Sequence, residues 1–296
     1  MLLVLIAALL LFRRTVYEPP AATQRVVAKA PPVVPAEQAV VLSVTGPVQR
    51  AHGSGEWSRL SPGDRLGADE SIRTGKGGHT DLRIGDKSSL AVTESTQVTI
   101  RELTRAVHRF RLERGRLAVD YKPDGERVLK IENEGAVTET HGARFSVLST
   151  GATIAVATEL GSVNFKAADR EVVVGEGQTA IARKGEPPTA PEPTAAVPVE
   201  LLLKVASAIP ADNERICTRV SGVVAAGSEV LMDGVPVPAD AEGRFAAEVP
   251  RDPPDKKAVL VATRDPLGRE QTRSVPCDLT DPRIHKLGIQ WDEASP

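Results

Sequence analysis

Between Ala39 and Lys184 the apolar residues fall in pairs two positions apart. Leu82/Ile84, Leu90/Val92, Val98/Ile100, Phe110/Leu112 and Leu117/Val119 come first. Phe145/Val147, Ile154/Val156, Val163/Phe165 and Val172/Val174 follow. Turn residues such as Gly85-Asp86, Glu113–Gly115 and Gly161 separate them. Side chains alternate across a strand but repeat every 3.6 residues along a helix. No stretch here sustains the helical period with caps, so this chain is read as all-β. Short strands at close spacing fit a sandwich, a roll or a short solenoid. A core of Val, Leu, Ile and Ala suits a composition with only 3 % aromatic residues but 24 Gly and 23 Pro.

The same pattern decides the reading of "RTGKGGHT" (Arg73–Thr80), a lysine set among glycines. A phosphate loop needs G-x-x-x-x-G-K-[ST] and a helix after it. Here Gly77 follows Lys76, and the next residues alternate as a strand. The stretch is read as a turn, and Lys76 as a solvated lysine of that turn. No nucleotide or other cofactor is expected.

Two Pro-rich stretches divide the chain. Residues 15–38 ("YEPPAAT", "APPVVPAE") and 185–199 ("GEPPTAPEPTAAVP") cannot run as helices through their prolines and read as extended linkers. They delimit an apolar anchor or signal segment (1–14), a first β block (39–184), a second block (200–282) and a C-terminal tail (283–296). The second linker is expected to uncouple the blocks. The run Leu2–Phe12 would form a short apolar helix of about 16–17 Å, against about 30 Å of bilayer core. It matches the apolar part of an export signal, but Arg13 and Arg14 follow it rather than precede it. Either upstream residues are missing or the segment is buried or interfacial; export or anchoring is the expectation.

The first block also carries separated motifs. Trp57, Leu60, Gly63, Asp64, Ile72, Thr74, Gly75, Leu82, Asp86 and Leu90 stand in order, followed by "LERGRLAV", "VTETHGARFSVL" and "VVVGEGQTA". On these residues the block resembles the periplasmic FecR domain. It departs from that family at His141 and Ala143, where a proline and a threonine are usual. The resemblance implies protein–protein signalling across the envelope. In that family the exported domain receives a signal from an outer-membrane transporter, and a cytoplasmic N-terminal segment acts on a sigma factor. Only Met1 precedes the apolar run here. The expectation is therefore an interaction or assembly module, held at the inner membrane with its globular domains in the periplasm and binding an envelope or membrane protein.

The second block alternates too, with hairpin signals at Asp233-Gly234 and Glu242-Gly243 and a turn at Pro266–Gly268. Its run of V-x-G, D-G and G-x-F resembles bacterial Ig-like domains, which implies a β-sandwich. Cys217 and Cys277, the only cysteines, bracket the block. A sandwich could bring them together as a disulfide, which would point to an oxidising compartment. Two separate buried thiols are the alternative.

Nothing suggests catalysis. The histidines (His52, His79, His108, His141, His285) show no metal-binding spacing, and no G-x-S-x-G occurs. A net charge of −2 gives no reason to expect nucleic acid. The most basic stretch is Arg101–Arg116, in which Arg105, Arg109 and Arg111 form a candidate interaction surface. The alternative is a solvated sheet face. Trp57 and Phe245 are expected in the core. A carbohydrate- or peptidoglycan-associated module, with a cell-wall polymer as ligand, ranks second because aromatic platforms are scarce.

Overall fold

The computed structural model describes residues 37–122, 125–194, 202–206, 219–240, 242–249 and 258–276. The expected apolar helix 1–14, most of the linker 15–38, Cys217, Cys277 and the tail 283–296 lie outside the described residues. Among the described residues all regular structure is strand, and no helix is long and apolar enough to cross a membrane.

The first block contains β1 (Ala39–Thr45), β2 (Val48–His52), β3 (Ser58–Arg59), β4 (Arg65–Leu66), β5 (Glu70–Thr74), β6 (His79–Ile84), β7 (Ser88–Val92) and β8 (Gln97–Leu103). It continues with β9 (Val107–Tyr121), β10 (Val128–Asn133), β11 (Ala136–Thr140), β12 (Ala143–Ser149), β13 (Thr153–Ala167), β14 (Arg170–Gly175), β15 (Gln178–Arg183) and β16 (Glu192–Pro193). Hydrogen bonds join them into one sheet that is folded over on itself. One layer runs β4-β1-β6-β7-β9-β12-β13-β15-β16, the other β3-β2-β5-β8-β9-β10-β11-β13-β14.

The two 15-residue strands, β9 and β13, belong to both layers. The first half of β9 pairs with β8 and, in parallel, with β10; its second half pairs with β7 and β12. β13 passes from β12 and β15 to β11 and β14 in the same way. The changes of layer occur at Gly115 (φ +86°) and Gly161 (φ +82°), left-handed conformations that favour glycine. At the first corner two exposed residues, Glu113 and Arg114, reverse the alternation. His108, Phe110 and Leu112 point inward before the bend, and Leu117, Val119 and Tyr121 after it. Without that slip, one half of β9 would present its apolar face to solvent. The architecture is thus a two-layer sandwich whose corners are strands that switch sheets. One continuous core fills it, including Ile72, Leu82, Phe110, Phe145, Val156 and Phe165.

Part of the stretch read as the second linker is structured. Glu192 and Pro193 pair with Thr179 and Gln178, closing the edge of one layer. An edge strand tolerates proline because it has no ladder bond to give on its open side.

The second block comprises β17 (Leu202–Ala206), β18 (Arg219–Val223), β19 (Glu229–Met232), β20 (Val235–Val237), β21 (Arg244–Glu248), β22 (Ala258–Arg264) and β23 (Glu270–Pro276). They form two antiparallel sheets, β17-β18-β21 and β20-β19-β22-β23. Val220 and Phe245 from one and Met232, Val259 and Val261 from the other share a single core. The β19–β20 hairpin turns at Asp233 and Gly234, both with positive φ (50° and 78°), as the Asp-Gly pair led us to expect.

Candidate functional site

The turn "RTGKGGHT" lies where the two blocks meet. Thr74, the buried last residue of β5, donates its hydroxyl to the Thr93 carbonyl (2.5 Å) and accepts from the Thr96 N–H (2.9 Å). This fixes the turn after β5 against the turn after β7. Glu94, in the latter, then reaches the Gly77 N–H at 2.6 Å. A backbone N–H that a phosphate loop would offer to its ligand is occupied here by the protein's own carboxylate. Partial burial raises the Glu94 pKa, but the Gly77 N–H, Arg264 and Lys76 outweigh it. The net shift is downward, and Glu94 stays ionised.

Arg264, at the end of β22, is the hub of the junction. Its side chain is 12 % exposed and binds Glu94 across the blocks (2.6 Å), with Glu270 (2.8 Å) and Glu229 (3.5 Å) from its own block. Burial works against the Arg264 charge, yet the bonds to Glu270 and Glu94 push its pKa up on balance. Desolvation raises Glu229 in spite of Arg264. Beside them the Arg116 guanidinium lies over the backbone of Gly268, and desolvation, with Arg264 nearby, lowers its pKa. Farther along, a Cβ on Gly227 would lie 3.1 Å from the Ala155 Cβ and 3.0 Å from the Ile181 Cδ1. Arg183 approaches Glu242 at 3.7 Å. A cleft of about 270 Å³ beside this contact is lined by Thr179, Ile181, Asp265 and Arg269, and the last two are bound to each other. The chemistry of the junction is ion pairing and docking.

Two expectations are corrected here. The blocks are not uncoupled by the Pro-rich linker, because side chains on both sides of it are paired. Lys76, although exposed, is not simply solvated: its Nζ donates to the Asp233 carbonyl at 2.5 Å. That bond is solvent-exposed, so Lys76→Ala should cost only about 0.5–1 kcal/mol. Urea unfolding of the variant checks this; a loss above about 2 kcal/mol would make Lys76 a principal anchor of the junction.

A second polar group holds the N-terminal end of the first block. Glu37 accepts from Arg127 Nη2 (2.8 Å) and from His108 Nε2 (3.1 Å). With its Nε2–H committed to a carboxylate, neutral His108 accepts the Tyr121 hydroxyl at Nδ1 (3.3 Å), an assignment that follows from the network. His108 is 1 % exposed. Burial lowers its pKa, helped by Arg127 and opposed by Glu37. Burial also pushes the Tyr121 hydroxyl up to about 12. In the unfolded chain His108 binds a proton below its ordinary pKa of about 6.5, and in the folded protein only at lower pH. Its contribution is therefore complete above about pH 6.5 and is lost as pH falls from there towards the depressed folded value. His108→Gln should flatten the stability–pH curve just below about pH 6.5 by up to about 1.4 kcal/mol per pH unit. Parallel curves for the two proteins, measured by urea titration, would refute this.

Of the candidate basic residues, Arg105 lies exposed in the turn before β9, and its carbonyl accepts from Arg127 Nε. Arg109 and Arg111 lie on β9 opposite Phe110. Arg109 is half-buried between Glu132 (3.4 Å) and Glu102 (3.8 Å), and Arg111 is exposed. Phe245 is buried as expected. Trp57 is not a core residue: it is half-buried, with the Arg73 guanidinium 4.2 Å from its ring centroid. Sequence reasoning missed Glu94, Arg264, Glu229, Glu37 and Arg127. Glu94 and Arg264 are 170 positions apart, and no local spacing marks such a pair.

The sequence profile of the family described as "FecR protein" matches residues 70–164, roughly a third of the chain. The match begins at the first residue of β5 and ends in the second half of β13, so it takes in Glu94 and both corner glycines. No curated protein matches the chain. Two crystal structures of a proposed anti-sigma factor from Parabacteroides distasonis ATCC 8503 are similar at 18 % and 17 % identity, each with a TM-score of 0.38. Each comparison covers 43 % of this chain and 60 % of the other, so the chain spans less than two thirds of the solved chains it matches.

Proposed function

We propose that this protein is a non-catalytic module of the cell envelope that signals or assembles by binding another envelope protein. In this reading residues 1–14 hold it at the inner membrane, and both β blocks stand in the periplasm. The observation that carries the reading is the FecR-protein match over residues 70–164, on strands that build both layers of the first block. We read the second block as an Ig-like sandwich. Its two facing sheets and its Asp-Gly hairpin support this. A Cys217–Cys277 disulfide would tie its ends in an oxidising compartment. The domain limits are those of the sequence reading, with residues up to Thr194 packed on the first block through the Thr194 N–H and the Gly177 carbonyl (2.8 Å). The exposed Arg105 and Arg111 are proposed as partner contacts.

The docked junction gives the reading a mechanical side. A partner that touches either block acts on both, because Arg264 and Lys76 tie the second block to the turns of the first. Protease treatment of intact spheroplasts tests the location. Digestion of both blocks without lysis is expected, with the protein fractionating with membranes. Protection until lysis, or recovery of the full-length chain in the cytosolic fraction, would overturn the reading.

A further inference from the structure

Sheet edges are where a β protein is open to pairing with other chains, and most are kept short or covered. In the first block three of the four layer edges among the described residues, β3, β4 and β16, are two residues long. The fourth, β14, runs for six residues (Arg170–Gly175), and β13 is its only strand partner. It carries Val173, 58 % exposed.

The orientation of its backbone follows from its neighbour. The Ser162 carbonyl on β13 is turned towards β11, where it accepts the Thr140 hydroxyl at 2.9 Å. Backbone groups alternate sides along a strand, so Ser162, Asn164 and Lys166 all serve β11. The residues opposite them, Gly175, Val173 and Glu171, therefore direct their N–H and C=O groups away from β13. The Gly175 N–H is taken by Gln178 Oε1 (2.9 Å). Among the described residues, the outward groups of Glu171 and Val173 have no such cover.

We propose that β14 pairs antiparallel with β14 of a second copy of this chain, about a two-fold axis at Val173. The strand's own charges select this register. Centred on Val173, the exposed valines oppose each other and exchange reciprocal N–H···O=C bonds. On either side the Glu171 N–H meets the Gly175 carbonyl of the second copy. Val172 lies against Val174 of the second copy, extending the apolar row, and the exposed Arg170 faces Glu176 of the second copy on both sides of the axis. Centring on Glu171 would place two carboxylates face to face, which disfavours that pairing. Centring on Gly175 would pair Val173 with Gly177, which lies beyond the strand at φ +70°. The interface is a single strand pair, so association is weak and gains from the high local concentration that a membrane anchor provides. This inference does not depend on the envelope partner proposed above; only the gain from anchoring rests on that reading.

Sedimentation velocity of the full chain in detergent, over a concentration series, tests it. The wild type should self-associate. Arg170→Glu alone and Glu176→Arg alone each place like charges opposite one another twice, and each should weaken association about tenfold or more. Mixing the two single variants restores opposite charges at both contacts, so the mixture should associate within about threefold of the wild type, as should the double variant. Both residues are exposed, which leaves folding intact. A wild type that stays monomeric throughout overturns the proposal. So does a dimer that Arg170→Glu leaves unchanged, or a mixture no tighter than its components.

Discussion

Replacing Gly115 with alanine is expected to cost about 3 kcal/mol or more, one of the largest losses from adding a single methyl group to this protein. Two effects add. A residue with a Cβ at φ +86° pays roughly 1–2 kcal/mol for the left-handed conformation. The new Cβ would also lie 2.5 Å from the Cα of Thr96, which is backbone and cannot swing aside. Thr96 is held in turn, because its hydroxyl accepts the Arg116 N–H at 3.0 Å and its own N–H binds Thr74. The corner where β9 changes layers and the turn at the junction would therefore be strained together. Gly53→Ala is the control: its φ is +55°, but a Cβ there has nothing within 4 Å. Urea titration of both variants should show Gly115→Ala losing at least about twice as much as Gly53→Ala. Equal losses would mean that the close approach to Thr96 contributes nothing.

Arg264→Ala is expected to cost about 3 kcal/mol and to separate the two blocks. The substitution leaves Glu94, Glu229 and Glu270 facing one another without their shared cation. Glu229, with a side chain 11 % exposed and already raised by desolvation, would move further up and take a proton more readily. Removing one partner of a largely buried ion pair costs more than the pair contributes, because the remaining charge keeps its desolvation penalty. Partial exposure of Glu94 and Glu270 keeps the figure at the lower end of the usual range. Calorimetry should resolve the single transition of the coupled protein into two, and limited proteolysis should cut within residues 185–199. One transition at an unchanged midpoint would show that the Gly227 contact with Ala155 and Ile181 suffices for docking.

Much of the fold was legible in the sequence because the relevant physics is local. Alternation by two sets which side chains share a face of a strand, and the apolar pairs at Leu82/Ile84, Phe110/Leu112 and Val163/Phe165 are buried as their spacing implied. The Asp233-Gly234 turn was equally clear, since few residue pairs accept two positive φ angles in succession. The all-β class and the reading of Arg73–Thr80 as a turn rest on the same short-range rules, whereas the turns expected at Glu113–Gly115 and Gly161 are bends inside the continuous strands β9 and β13.

What the tertiary structure decided are the relations between distant residues. "LERGRLAV" reads as a turn at Glu113–Gly115, and not as one strand that leaves one layer for the other there; that depends on β7, β8, β10 and β12 arriving on both sides of it. Trp57 became a surface ring under Arg73 because the core was filled by other strands. The carboxylate of Glu94 needed the fold to bring it to Gly77 and to Arg264, just as Glu37 needed it to reach His108 and Arg127. Charged side chains carry no periodic signal and find their partners only after the chain has closed its loops. The alternating faces and the tight hairpin turns were therefore determined by the sequence alone, while the sandwich, the junction and the six-residue open edge of β14 exist only in the folded molecule.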